Sequence, residues 1–280
     1  MRKITTVADM RTAIAGLRAE GNSIALVPTS GALHAGHAAL IASAASRADV
    51  VIVSIFVNPL AFGPNEQFAA YPRTPDADLK LCESLEVDAV FMPANEEMFP
   101  RGYSTFVSED AVSKPLCGVS RPTHFRGVTT VATKLINVIR PDVLILGQRD
   151  AQQAAVLRKV IADLHLGVEV RVAPIVREAD GLVVSVRNRD LSSIQRGEAQ
   201  AIHPALKRAQ EMVAQGVRSP DRVIAEVTHL LGQRRRLRVI YVSIVDPATM
   251  EPLREIVPGH ALLALAIWVD EVRLIDNAML

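Results

Sequence analysis

The sequence predicts an α/β fold, a doubly wound parallel sheet of the Rossmann-like kind followed by a smaller α+β domain. Three observations carry this prediction. Short apolar runs alternate with helical patterns through the first two-thirds of the chain. The alternation breaks near Val176, where the polar turn cluster Arg177-Glu178-Ala179-Asp180-Gly181 begins. A glycine-containing turn, Pro28-Thr29-Ser30-Gly31-Ala32-Leu33-His34-Ala35-Gly36-His37, joins an apolar run to a helix-forming stretch.

Taken in order, residues 24–27 (Ile-Ala-Leu-Val) read as a buried strand, and residues 38–47 are rich in alanine and read as a helix. Residues 50–57 are nearly all β-branched or aromatic, the composition of a strand. A helix is expected at 75–85: proline suits its first turn, and Asp76 and Asp78 favour the positive end of its dipole. Residues 89–92, 143–146 and 168–172 continue the strands, and 127–139 and 151–164 the helices. Right-handed crossovers between parallel strands follow from such an order.

Beyond Val176, Ser192 or Ser193 is a plausible N-cap for a helical stretch over residues 194–214. Residues 239–245 and 261–269 read as two further strands around a Pro/Gly-rich connector. The expected division is therefore a Rossmann-like domain over 1–176 and a smaller α+β domain over 177–280. No internal repeat or low-complexity segment interrupts either.

The bulk composition narrows the function. Apolar residues make up 49% and charged residues 22% of the 280, an ordinary globular balance. A net charge of +1 supplies no field to attract nucleic acid or an anionic membrane. The basic cluster Arg234-Arg235-Arg236 with Arg238 has no interleaved aromatic residue and reads as a solvated turn entering a strand. No apolar run reaches membrane-spanning length. The opening residues lack an apolar leader, and Cys82 and Cys117 have no metal-like spacing. These features predict a cytoplasmic protein with reduced thiols, and no dedicated metal site.

The chemistry is expected at the glycine turn. There, free N–H groups and the helix dipole point at one place beyond the sheet, a favourable position for phosphate. His34 and His37, three apart and placed in the first helical turn, share a face beside those donors. Neutral or protonated, both can donate to phosphate oxygens. In a doubly wound sheet ligands sit beyond the carboxyl ends of the strands. Residues 28–37, 58–63 and 147–153 each follow a predicted strand and so line one crevice.

His34-Ala35-Gly36-His37 resembles the H-x-G-H signature of the nucleotidylyltransferase and class I aminoacyl-tRNA synthetase superfamily. More specific words resemble the pantothenate synthetase family: Val53-Ser54-Ile55-Phe56-Val57-Asn58-Pro59, Phe62-Gly63-Pro64-Asn65-Glu66, Tyr71-Pro72-Arg73-Thr74, Arg121-Pro122-Thr123-His124-Phe125-Arg126-Gly127-Val128, Gly181-Leu182, Arg187-Asn188 and Arg273-Leu274-Ile275-Asp276-Asn277. They run in the family's order along the whole chain.

The resemblance implies an ATP-dependent ligase. A hydroxy acid and ATP form an acyl-adenylate with release of pyrophosphate, and an amine then displaces AMP. Pantoate and β-alanine are the expected pair, with ATP and Mg2+ as cofactors and a homodimer as the expected assembly. It implies catalytic roles for His34, His37, Arg149, Ser185 and Arg187. For ATP it implies Ser30, Gly31, His34, Gly36, His37, Gly147, Gln148, Arg149, Asp150, Val176, Val184, Ser185, Val186 and Arg187. For the acid it implies Pro28, Asn58, Ala61, His124 and Gln153. Taken singly, Ser185 is as readily a turn hydroxyl, Arg187 a surface ion pair and Gln153 an exposed helix residue. Asp76 and Asp78 fit a helix N-terminus better than a metal.

Six positions depart from the family pattern. Ser30 stands for methionine, Ala61 for glutamine, Gln148 for glutamate, Arg149 for lysine, Ala151 for an aromatic residue and Val186 for serine. All six are expected to face the crevice. A methyl at 61 cannot hydrogen-bond, so a substrate hydroxyl buried against it would lose on the order of 1–3 kcal/mol. The clustering points to a larger, less polar acid end. A paralogue joining a different acid and amine, a nucleotidylyltransferase and a catalytically silent binding protein remain as alternatives at the sequence level.

Overall fold

Strands that are apolar on both faces need cover on both, and helices from either side supply it. The structure is a computed structural model that describes residues 1–63 and 68–280; Pro64, Asn65 and Glu66 of the family word lie outside the described residues. The first half runs β1 (Arg2–Ile4), α1 (Val7–Ala19), β2 (Ile24–Thr29), α2 (Ala35–Ala45), β3 (Val50–Ile55), α3 (Pro75–Ser84) and β4 (Ala89–Phe91). Two short helices, α4 (Asn95–Met98) and α5 (Cys117–Ser120), lead to α6 (His124–Ile139), β5 (Val143–Gly147), α7 (Ala151–Asp163) and β6 (Glu169–Ala173).

These six strands form one parallel sheet in the order β1-β4-β3-β2-β5-β6. Alternate residues of each strand serve opposite faces. Ile24, Leu26, Ile52, Leu144 and Leu146 join a core with residues of α1, α6 and α7. Ala25, Val27, Val51, Val53 and Ile145 join another with residues of α2 and α3. The chain leaves β2 toward β3 on one side and returns to β5 on the other, so the strand order switches at β2. A crevice opens at such a switch, and the His34 turn lies at its mouth.

The remaining residues form α8 (Ser193–Ala199), α9 (Ile202–Ala214), α10 (Pro220–Gly232), β7 (Leu237–Val245), β8 (Leu262–Val269) and β9 (Val272–Met279). β7, β8 and β9 make a three-stranded antiparallel sheet with its own helix-covered core. A smaller cluster, including Phe125, Ala155, Met250 and Leu262, joins the two regions.

Several sequence expectations need correction. The helical stretch over 194–214 is two helices, broken between Ala199 and Ile202. Pro204 explains the break, since its ring lacks an N–H and would clash with the carbonyl of Gln200 in a continuous helix. Of the candidate caps it is Ser192 that caps α8. The strand read over 50–57 ends at Ile55, because Asn58 and Pro59 begin a 3-10 turn. The helix read over 38–47 starts earlier, at Ala35, with His34 as its N-cap. The helix read from 127 starts at His124. Helices α1 and α10 and strands β1 and β9 are additions.

Candidate active site

The glycine turn is held open by a carboxylate. Gly31 (φ +77) and Ala32 (φ +50) both adopt left-handed backbone, which costs an alanine roughly 1–2 kcal/mol. Asp78, from the first turn of α3 and 2% exposed, stabilises that geometry. Its two oxygens accept the N–H of Ala32 at 2.9 Å and of Leu33 at 2.8 Å, and Thr74 donates to it at 3.0 Å. With those acceptors engaged inside the protein, Asp78 is a structural clamp. Asp76 is exposed at the helix start.

His34 is not inside the first turn of α2, as expected, but is its N-cap. Its Nδ1 accepts the Gly36 N–H at 3.2 Å, and His37 Nδ1 accepts the His34 N–H at 3.2 Å. This reciprocal cap uses the lone pair of Nδ1 on both rings, so each neutral ring carries its proton on Nε2. Burial, with Arg149 and Arg189 nearby, lowers the pKa of His34 to about 4. Burial, then His34 and Arg149, lowers that of His37 to about 3. At neutral pH both are uncharged donors, 4.1 Å apart between ring centroids.

Two lobes meet at these rings. The larger, of about 280 Å³, lies over Phe56, Val128, Val131 and Leu157 and also takes in Ser30, Asn58, Ala61, His124 and Val186. The smaller, of about 100 Å³, is lined by Gly36, Gly147, Gln148, Val176 and Val184. Pro28, His34, His37, Arg149, Asp150 and Gln153 line both. Among the described residues the side chains of Arg149, Asp150 and Gln153 have no hydrogen-bonding partner, so they face the crevice with their full capacity.

The wall carrying Ala61 is rigid. Asn58 donates to Gly127 O at 2.9 Å and accepts the Leu60 N–H at 3.0 Å. Arg121 donates to Ala61 O at 3.0 Å, and His124 Nδ1 donates to the same oxygen at 2.9 Å. A Cβ at Gly127 would lie 2.5 Å from Leu60 O, so glycine is what lets α6 approach this turn. Asn58 thus braces the wall with the groups expected for the acid, and Ala61 presents only a methyl.

Three of the expected residues stand off the two lobes. Ser185 lines neither lobe; it is 8% exposed and caps the 3-10 turn after it by accepting the Arg187 N–H at 3.2 Å. Arg187 lines neither lobe and is exposed, 3.7 Å from Asp190 and 5.9 Å from the Tyr71 ring. Ala151 points away from the crevice, into a cavity shared with Tyr241, because it sits at the start of α7 on the side facing the C-terminal sheet. Ser30, Ala61, Gln148, Arg149 and Val186 do line the crevice.

Tyr71 was missed as a site residue. It lines the larger lobe beside Ser30, and burial raises its pKa so the phenol stays protonated. Its signal was the family word Tyr71-Pro72-Arg73-Thr74, which marks the segment but gives Tyr71 no role, and residues 62–74 carry no helical or strand period to place it.

Comparison with known proteins agrees with this geometry. A family profile described as Pantoate-beta-alanine ligase matches residues 2–279. The chain is similar to the pantothenate synthetase of Moorella thermoacetica, at 46% identity over all of this chain and 99% of that protein. It is 46% identical to the pantothenate synthetase of Thermotoga neapolitana, over the full length of both. Its fold resembles the pantothenate synthetase of Thermus thermophilus (TM-score 0.94, 38% identity, 100% and 99% covered). It also resembles the Francisella tularensis pantoate-beta-alanine ligase complexed with beta-gamma ATP and beta-alanine (TM-score 0.80, 29% identity, 100% and 97% covered).

Proposed function

The chain belongs to the pantoate-beta-alanine ligase family, and from that premise we propose that it condenses pantoate with β-alanine at the expense of ATP. In the first half-reaction a carboxylate oxygen bonds to the α-phosphorus and the bond to pyrophosphate breaks. In the second, the amine nitrogen bonds to the acyl carbon, AMP leaves with the electron pair of the C–O bond, and the amine sheds a proton.

The obstacle in the first step is two anions meeting. Donors and a cation fixed in advance around the developing charge lower that barrier most. The observation that carries this reading is the convergence of two Nε2–H imidazole donors and Arg149, unpartnered among the described residues, where the lobes meet. The nucleoside then occupies the lobe lined by Gly147, Val176 and Val184, and the acid the larger lobe. Gln153, with a donor and an acceptor free, orients the acid's carboxylate and hydroxyl. Ser185 supports the reaction by shaping the turn, and Arg187 reaches the phosphates only by swinging in from solvent.

Magnesium would arrive on the phosphates. Among the described residues no group of three or more His, Cys, Asp or Glu side chains is placed to hold a metal. Asp150 offers free carboxylate oxygens beside the crevice, which fits an ion held chiefly by phosphate and water. The same premise carries a homodimer as a proposal. It also carries a domain division at 176/177, where the core changes from the parallel sheet to the antiparallel one. Among the described residues no helix is long and apolar enough to cross a membrane.

A second reading, a different acid, is favoured by one observation: position 61 presents only a methyl to the larger lobe, and the Asn58 amide beside it is bonded within the wall. One experiment separates the readings. ATP–pyrophosphate exchange, measured acid by acid without amine, should appear with pantoate, and amide should form only when β-alanine is added. Exchange with another acid alone supports the second reading. A stable nucleotidylated product, or ATP binding without any exchange, overturns both.

A further inference from the structure

We propose that Asn277, in the C-terminal sheet, is the positioning residue that aims Arg149 at the phosphates. The proposal rests on reading Arg149 as the phosphate-facing cation. The guanidinium of Arg149 touches no described acceptor, so its direction depends on the backbone that bears it. That backbone is a single 3-10 turn, Gln148–Asp150, with no side-chain cap at its start, and α7 after it has none either. Something else must hold it.

Asn277 does so from β9. It is 3% exposed, and its Nδ2 donates to Gln148 O at 2.8 Å and to Arg149 O at 3.0 Å. Two carbonyl oxygens only accept, so the amide nitrogen must face the turn. The amide oxygen is thereby turned to the Gln148 side chain and accepts its Nε2–H at 2.9 Å. In this chain the Gln148 amide thus closes the set of contacts around the Asn277 side chain.

The anchor is itself fixed. The Asn277 N–H donates to Asp276 at 2.7 Å, and Asp276, 4% exposed, takes both guanidinium arms of Arg177 at 2.6 and 3.0 Å. A chain of hydrogen bonds thus runs from Arg177, where the antiparallel region begins, through Asp276 and Asn277 to the turn carrying Arg149. A misplacement of about 1 Å at a reacting centre costs about 10²-fold in rate, so loosening this turn should appear in the chemical step.

The test uses ATP–pyrophosphate exchange on the full chain with Asn277→Asp, Asn277→Ala, Arg149→Ala and the double variant Asn277→Ala/Arg149→Ala. Asn277→Asp keeps the shape and exchanges the two donors for an acceptor. It and Asn277→Ala should lower exchange kcat about 10- to 100-fold, with KM for the acid changed less than about threefold. The double variant should be no slower than Arg149→Ala, a non-additivity that a merely structural loss does not produce. Slow Arg149→Ala with wild-type exchange in folded Asn277→Asp, or additive losses in the double variant, overturns this proposal alone. Wild-type exchange in Arg149→Ala removes the reading of Arg149 and the proposal together. If the Asn277 variants do not fold, Gln148→Leu, which leaves the buried Asn277 amide oxygen without its donor, decides: slowed exchange kcat in a folded protein supports the proposal, and an unchanged rate overturns it.

Discussion

The Nδ1 of His37 accepts the backbone N–H of His34 at 3.2 Å, so the two histidines cap one helix and set each other's tautomer. Each imidazole holds its proton on Nε2, and each resists a second one. Burial is the main cause, with Arg149 adding to it, and the pKa values fall to about 4 and about 3. The site therefore works with neutral donors whose dipoles are fixed before the nucleotide arrives.

A pH dependence follows with a definite sign. Both folded-state pKa values lie below the ordinary 6.5, so the unfolded chain binds protons more readily. The stability tied to neutral histidines is whole above pH 6.5 and is lost as pH falls toward 4 and 3. Imidazole nitrogen NMR of the free protein should show Nε2–H tautomers on both rings and no titration above about pH 5. A midpoint between about 6 and 7 for either ring, the ordinary range, would contradict the capped arrangement.

Replacing His37 by Ala removes one fixed donor and the acceptor for the His34 N–H. Adenylation should slow by roughly 10²–10³. The protein should still fold, because the His37 ring lines an open crevice. Exchange at the wild-type rate in a folded His37→Ala protein is the result that would sink the mechanism.

Asp78 makes a separate demand, on the turn before the histidines. Asp78→Ala leaves the N–H groups of Ala32 and Leu33 without their acceptors, at about 1–3 kcal/mol each if they remain buried. Gly31 and Ala32 then lose the contact that holds their left-handed backbone. Denaturant melts should show a loss in that range, and exchange should weaken with it. Asp78→Asn should fall between, since one carboxamide oxygen replaces two acceptors. Full stability in Asp78→Ala would remove the clamp.

The doubly wound sheet was legible because its strands are apolar on both faces and alternate with stretches of helical spacing. The crevice was legible for the same reason: Pro28 and Gly147 lie at the carboxyl ends of strands and Asn58 just beyond one. Elements α1 and α10 carried signals that went unread, Thr6 capping Asp9 and Ser219-Pro220 before Val223, Val227 and Leu231. What no local pattern contains is the far partner. Nothing near Asp78 marks Ala32, 46 positions away, and nothing near Asn277 marks Arg149, 128 positions away. Ser185 and Arg187 are likewise implied by resemblance alone; the turn they share makes one a cap and leaves the other exposed, contacts that no local pattern announces.

The acid end offers the sharpest test of substrate. Ala61 O is pinned by Arg121 and His124, so a longer side chain at 61 has only the larger lobe to enter. Ser30 and Tyr71 line the same lobe. An apolar wall discriminates acids by only ~10–200-fold per methylene, whereas a wall that hydrogen-bonds a hydroxyl rejects acids lacking it far more strongly. Ala61→Gln with Ser30→Met should therefore raise kcat/KM for pantoate by about tenfold or more, equivalent to at least ~1.4 kcal/mol of transition-state binding. The same variant should lose ground with bulkier acids and with acids lacking the hydroxyl. If the unaltered protein already turns over pantoate and β-alanine efficiently, and the double substitution only slows it, then the methyl at 61 is no deficit. In that case Gln153 and Tyr71 hold the hydroxyl without help from the wall.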